Sequence, residues 1–206
     1  MGEFTQELLA GLGPDMVLGP EVIALMEWLE DEQGNLMHYT STNEPFLPTT
    51  PMASIDALWS HLAFVIDPDM FKYWMGREDL GNTLVSILRC GGDGSHMALW
   101  RDPDGKMKYV FAGSEGDAFV VADTALGFVQ LITLGYESIE ARESLDDHPA
   151  EFWQEYNDSP WPDTKTAKAW IKAKFGVDPP HVGADLLPQY PNGDPFNKWV
   201  AEKNKN

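Results

Sequence analysis

Ser95-His96-Met97-Ala98-Leu99-Trp100, then Asp102-Pro103-Asp104-Gly105, then Lys106-Met107-Lys108-Tyr109-Val110-Phe111 is the stretch that decides the fold class. Its last part alternates: Met107, Tyr109 and Phe111 fall on one face, Lys106 and Lys108 on the other. That is the period of two expected of a strand with one buried face. Its first part is an apolar run of strand length. Pro103 and Gly105 stand where a reverse turn favours them, so the two runs predict a hairpin. Upstream, Thr83 to Leu88 predicts another strand, and Gly91-Gly92-Asp93-Gly94 a turn that needs positive φ. Downstream, Gly113 and Gly116 bracket a further turn, and Ala118 to Val121 predicts one more strand.

Helical patterns lie on both sides of this region. Pro20 suits the first turn of a helix over about 20–33, stopped by Gly34, with Val22, Leu25, Met26 and Leu29 as its apolar stripe. Pro45, Pro48 and Pro51 mark a loop, because each lacks a backbone donor. Ser54 caps a predicted second helix carrying Ile55, Leu58, Trp59 and Leu62. Pro68 opens a short third one through Phe71 and Trp74. After the strands, Asp123 or Thr124 caps a helix to about 134, apolar nearly all round and therefore a core helix, with Gly135 as its stop. Helices are then expected at Pro149–Tyr156, from Thr164 to Phe175, and at Pro195–Lys203. Helices, then strands, then helices predict an α+β domain with a central, mainly antiparallel sheet flanked by helices. The chain of 206 residues suits a single domain over 1–206, with a core at about 20–136 and a C-terminal helical extension at about 137–206.

The charge narrows the partners. There are 33 acidic and 14 basic residues, a net charge of −19. Nucleic acid and anionic membrane surfaces both call for a basic footprint, so neither is expected as a partner. A basic protein is the complement that such a field steers and selects. The charge is uneven: residues 1–71 hold 12 acids and no Lys or Arg, whereas residues 164–206 hold 4 acids and 7 bases. Lys165, Lys168 and Lys172 share one helix face and read as its solvated side. One cysteine, Cys90, excludes an internal disulfide, and no leader or apolar span of membrane length is visible. A cytoplasmic protein is the expectation.

No catalytic signature is present: no G-x-S-x-G, no H-E-x-x-H and no phosphate-loop lysine. Cys90 ends an apolar strand, where a free cysteine is usually buried packing material. His96 lies three residues from Asp93, within reach of forming a ligand pair, although a strand histidine is more often a hydrogen-bonded structural residue. Asp102 and Asp104 resemble the start of a calcium loop, but Lys106 replaces the third acid and the terminal Glu is missing. No metal and no cofactor are expected.

One ordered combination is more specific. Gly91-Gly92-Asp93-Gly94, the strand His96-Met97-Ala98-Leu99-Trp100, then Tyr109-Val110-Phe111 with Gly113-Ser114-Glu115-Gly116, then Val120-Val121-Ala122-Asp123 leading into Leu126-Gly127-Phe128-Val129-Gln130-Leu131, resembles the SUKH superfamily. That family contains the Smi/Knr-type yeast cell-wall synthesis regulators and bacterial toxin-immunity proteins. Phe175-Gly176-Val177 and the late Phe196-x-x-Trp199 are similar to some bacterial members. The resemblance implies an α+β fold, no catalysis and no cofactor, and a protein that binds and neutralises a cognate toxin. The alternatives are a regulatory interaction scaffold with a non-toxin partner, and an enzyme whose concave pocket gathers His96, Asp93 or other acids with perturbed ionisation. Residues expected to touch a partner are Glu115 and Asp117 on the turn between strands. Asp146, Asp147, Trp153 and Trp161 join them from the loop-rich region after the core helix, where aromatics near acids make good anchors.

Overall fold

The computed structural model describes residues 1–51, 61–77, 79–151 and 164–205. Seven strands form one antiparallel sheet in chain order: Met37–His38 (β1), Pro45–Pro48 (β2), Ala63–Val65 (β3), Leu84–Arg89 (β4), His96–Arg101 (β5), Met107–Ala112 (β6) and Ala118–Ala122 (β7). The described helices are Glu3–Ala10 (α1), Pro20–Glu27 (α2), Met70–Met75 (α3), Ala125–Ile132 (α4), Lys165–Phe175 (α5) and Pro195–Lys203 (α6). The fold is α+β, an antiparallel meander with helices on both faces.

Strand alternation splits the apolar side chains between two faces. On the first face, Phe64, Met97, Leu99, Tyr109 and Phe111 meet Leu25 and Met26 of α2, Phe128 and Ile132 of α4, and Ile171 of α5. The Tyr109 and Phe128 rings stack at 4.4 Å. On the second face, Ala98, Trp100, Val110 and Val120 meet Phe71 of α3 and Phe196 and Trp199 of α6. Nearer β1, that face carries a smaller cluster of Phe46, Ala63 and Val65, with Tyr39 against it.

Local chemistry explains the element ends. Thr124 caps α4, its Oγ1 accepting from the Gly127 N–H at 3.1 Å. Gly176, in the left-handed region at φ +75°, ends α5. The helix expected at 20–33 is α2 continued by one wide turn, Trp28–Glu32, closed by a Gln33 N–H to Trp28 carbonyl bond of 3.0 Å. That turn aims Glu30 at the first turn of α1. Its carboxylate accepts from the Phe4 N–H at 2.8 Å, the Thr5 N–H at 3.0 Å and the Thr5 hydroxyl at 2.7 Å. A residue 25 positions away thus supplies the cap that the sequence around α1 lacks, which is why α1 was not expected.

One expectation changes. The proline-marked segment at 45–51 is not simply a loop: Pro45–Pro48 is β2, paired on one side with β1 and on the other with β3. The prolines stand at its ends, and between them Phe46 and Leu47 drive into opposite clusters. Burial of those two residues outweighs the missing donors. The helix expected from Ser54 falls on residues outside those described up to 60, and Ala63–Val65 beyond it is strand. The helix expected at Pro149–Tyr156 also lies mostly outside the described residues.

The last strand would leave an open edge. Asp194 covers it: one carboxylate oxygen accepts from the Val120 N–H at 2.9 Å. The other caps α6 through the Phe196 and Asn197 N–H groups at 2.9 and 3.1 Å. The Asn197 amide donates to the Ala118 carbonyl at 3.2 Å. One acidic residue therefore starts α6 and locks it along β7.

Candidate partner-binding face

The turn joining β4 to β5 and the turn joining β6 to β7 lie at the same end of the meander, because alternate connections of an antiparallel sheet share an end. Asp93 ties them together. Its Oδ1 accepts from the Ser95 N–H at 2.9 Å and its Oδ2 from the Ser95 hydroxyl at 2.8 Å. The Ser114 hydroxyl donates to the same Oδ2, and the Ser114 N–H reaches Ser95 Oγ at 3.2 Å. Partial burial pushes the Asp93 carboxyl up, but the Ser114 and Ser95 hydrogen bonds outweigh it and hold the group below the usual carboxylate range. Gly94 and Gly116 supply the positive φ of the two turns, +96° and +94°. Gly91 is required for another reason: a Cβ there would stand 2.3 Å from Asp93 Oδ1.

This network fixes the end that presents the predicted contact residues. Glu115 and Asp117 are exposed on the β6–β7 turn. Asp117 shares a cleft of about 350 Å³ with Arg142, Glu143 and Lys198. Glu140, also exposed, lies against Gly91. A 3-10 turn at Arg142–Leu145 leads into Asp146 and Asp147, both exposed. Tyr136 holds that loop: its hydroxyl donates to the Asp147 carbonyl at 2.9 Å and accepts from the Gly183 N–H at 2.8 Å. Burial pushes the Tyr136 phenol up to about 12, so it stays a neutral donor. Asp117 and the Arg142 turn thus come together at one cleft. Trp153 and Trp161 lie outside the described residues.

A second concave region was not foreseen as a unit. A shift in the β4–β5 register between Ser86 and Leu88 inserts a bulge. Ile87 and Leu88 both enter the first-face core, so Ser86 and Arg89, three positions apart, emerge together on the second face. His96 stands opposite Arg89 in the register, and its Nδ1 is 2.7 Å from Ser86 Oγ. Burial pushes the His96 imidazole down to about 4, against the pull of nearby Asp67. His96 and Arg89 line a cavity of about 460 Å³ with Tyr39, Glu44, Asp67 and Asp69. Glu7 of α1 borders it too. The sequence singled out His96 but matched it with Asp93; the structure gives Asp93 to the serines and His96 to Ser86. The bulge that joins Ser86, Arg89 and His96 leaves no mark in the residue pattern.

The remaining candidates fall to structural tasks. Cys90 is fully buried, and burial pushes its thiol well up, away from the nucleophilic thiolate. Asp102 Oδ1 accepts from the Asp104 and Lys106 N–H groups at 2.9 and 2.8 Å, closing the hairpin turn on itself. Among the described residues, no group of three or more His, Cys, Asp or Glu is placed to hold a metal. Among them also, no helix is long and apolar enough to cross a membrane.

What the geometry defines is an α+β protein with an acidic turn-bearing end and a separate polar cavity on one sheet face. No family model, curated protein or solved structure matches the chain.

Proposed function

We propose that this chain is a cytoplasmic, SUKH-like immunity-type protein that binds and neutralises a basic protein toxin by stoichiometric occlusion, without catalysis or cofactor. The observation that carries this reading is the Asp93 network. The Gly91–Gly94 and Gly113–Gly116 turns, which carry the family resemblance, are bonded to each other through Ser95 and Ser114. The rigid end they form exposes Glu115, Asp117 and Glu140. Rigid presentation lowers the ordering cost of association, and a field from a net charge of −19 speeds encounter with a basic partner.

The test is capture of the tagged full chain from the cells that produce it, followed by expression of the captured partner alone and together with this chain. A stoichiometric basic partner, toxic alone and harmless in the pair, is the expected result. Glu115→Lys with Asp117→Lys should then slow association about 10-fold at low salt and flatten its salt dependence. Capture of a non-toxic cellular complex would replace immunity with a regulatory scaffold. An association rate indifferent to both charge reversal and salt would remove steering by this end.

A further inference from the structure

The sheet carries a notch. β3 pairs with β4 at two positions only, Ala63 with Arg89 and Phe64 with Leu88, so residues 84–86 of β4 have no strand beside them on that side. The Arg101 N–H donates to the Thr83 carbonyl at 2.8 Å. Backbone direction alternates along a strand, so Thr83 and Val85 turn their groups to β5, while Leu84 and Ser86 turn theirs into the notch. The Leu84 N–H donates to the Leu80 carbonyl at 2.8 Å. Among the described residues, neither the 66–69 segment that follows β3 nor any side chain hydrogen-bonds the Leu84 carbonyl or the Ser86 backbone. Asp194 and Asn197 cover the outer edge of β7; nothing comparable covers this inner edge among those residues.

The notch opens on a cavity of about 400 Å³ that residues 84–86 all line. Its other walls include Gly11 and Gly13 of the link between α1 and α2, Phe71 of α3, and Asp67 and Asp69. Gly13 is required there, because a Cβ would stand 2.6 Å from the Gly81 carbonyl oxygen. Asp67 is half-buried and Asp69 exposed, and neither has an ion-pair partner among the described residues. The bordering cations are engaged: Arg77 donates to both carboxylate oxygens of Asp79, at 2.9 and 3.0 Å, and Lys72 has interactions of its own. The Gly11–Gly13 and Asp67–Asp69 walls both belong to residues 1–71, which hold 12 acids and no Lys or Arg. A free strand edge binds extended chain through main-chain hydrogen bonds, and unpaired acids beside it select basic side chains. A second copy of this chain, at −19, would be repelled. We propose that the notch receives an extended basic segment of a protein partner, which adds to β4 as a further strand. Its main chain pairs with residues 84–86, and its basic side chains meet Asp67 and Asp69. The inference deepens the proposed function, in that it rests on a basic protein as the partner, and it names a surface that holds that partner and the form the partner takes there.

The probe is a dye-labelled, end-capped peptide, Lys-Val-Lys-Val-Lys-Val, titrated with the full chain and read by fluorescence polarisation. Two controls keep its charge and side chains: one is N-methylated at the valines, the other at the lysines. Alternate residues of a paired strand turn their N–H groups to the neighbour, so at least one control should bind about 10-fold or more weakly. Gly81→Phe tests the place. Gly81 borders the cavity without a positive φ, and a Cβ there meets no atom within 4 Å, so the fold is retained by circular dichroism. The new ring should block the mouth and weaken the unmodified peptide by about 10-fold or more. Asp69→Asn should weaken it about threefold at low salt. Both controls binding like the parent, indifference to Gly81→Phe, or no binding at about 1 mM would overturn the inference. A captured toxin whose affinity ignores Gly81→Phe would overturn it too, while leaving the immunity reading intact. Notch-dependent peptide binding with no toxic partner would do the reverse.

Discussion

Acidification below pH 6.5 should destabilise this protein through one buried histidine. His96, at the start of β5, is buried against Ser86 of β4, and burial lowers its imidazole from the ordinary value of 6.5 to about 4. In the folded protein the ring stays neutral down to that point; in the unfolded chain it takes up a proton below pH 6.5. Between those values the unfolded state binds more protons, so stability falls as pH falls. The penalty is absent above pH 6.5, grows across the window and levels off below about 4. At 1.36 kcal/mol per pKa unit, the full penalty is about 3 kcal/mol, a large share of a typical domain's stability. Urea unfolding at pH 7, 6, 5 and 4.5 measures it. The comparison is His96→Asn, whose side-chain oxygen can still accept from Ser86 but does not titrate. Carboxylates and the other histidines are common to both proteins and cancel in the difference. The native protein should lose about 2–3 kcal/mol more than the variant over that range. Identical slopes for the two proteins would refute the reasoning, because they would place the acid sensitivity elsewhere.

Glu30→Ala should cost about 1–3 kcal/mol in urea or thermal unfolding, since it strips two backbone donors and a buried hydroxyl at the start of α1 of their acceptor. Glu30→Gln keeps one accepting oxygen and should cost less. Asp93→Ala should cost about 1–2 kcal/mol and speed amide exchange at Ser95 and Ser114, the two N–H groups held by the network. Unchanged protection at Ser114 would show that the two turns stand independently.

The strands from Leu84 to Ala122 were legible because their signals are local. Alternation in Met107–Phe111, the Asp102–Gly105 turn and the paired glycines each act within a few residues. The same holds for α4, where Thr124 caps its own helix, and for α6, where Pro195 follows its capping Asp194. The first three strands were not legible. β1 has two residues and β3 three, too few for any period, and β2 begins and ends with proline. They exist because Phe46, Leu47, Phe64 and Val65 find apolar partners on the two sheet faces. α1 was hidden for a related reason: its cap is Glu30, a residue of another helix.

For the candidate site the division is similar. The α+β class, the acidic field and the turns that present Glu115 and Asp117 are products of composition and short-range pattern. Folding is what gives Asp93 to Ser95 and Ser114 rather than to His96. It alone placed Ser86, Arg89 and His96 on one face, through a bulge that shifts the pairing register by one residue. A register shift reverses which side chains share a face, and no spacing in the chain encodes it before the strands have paired.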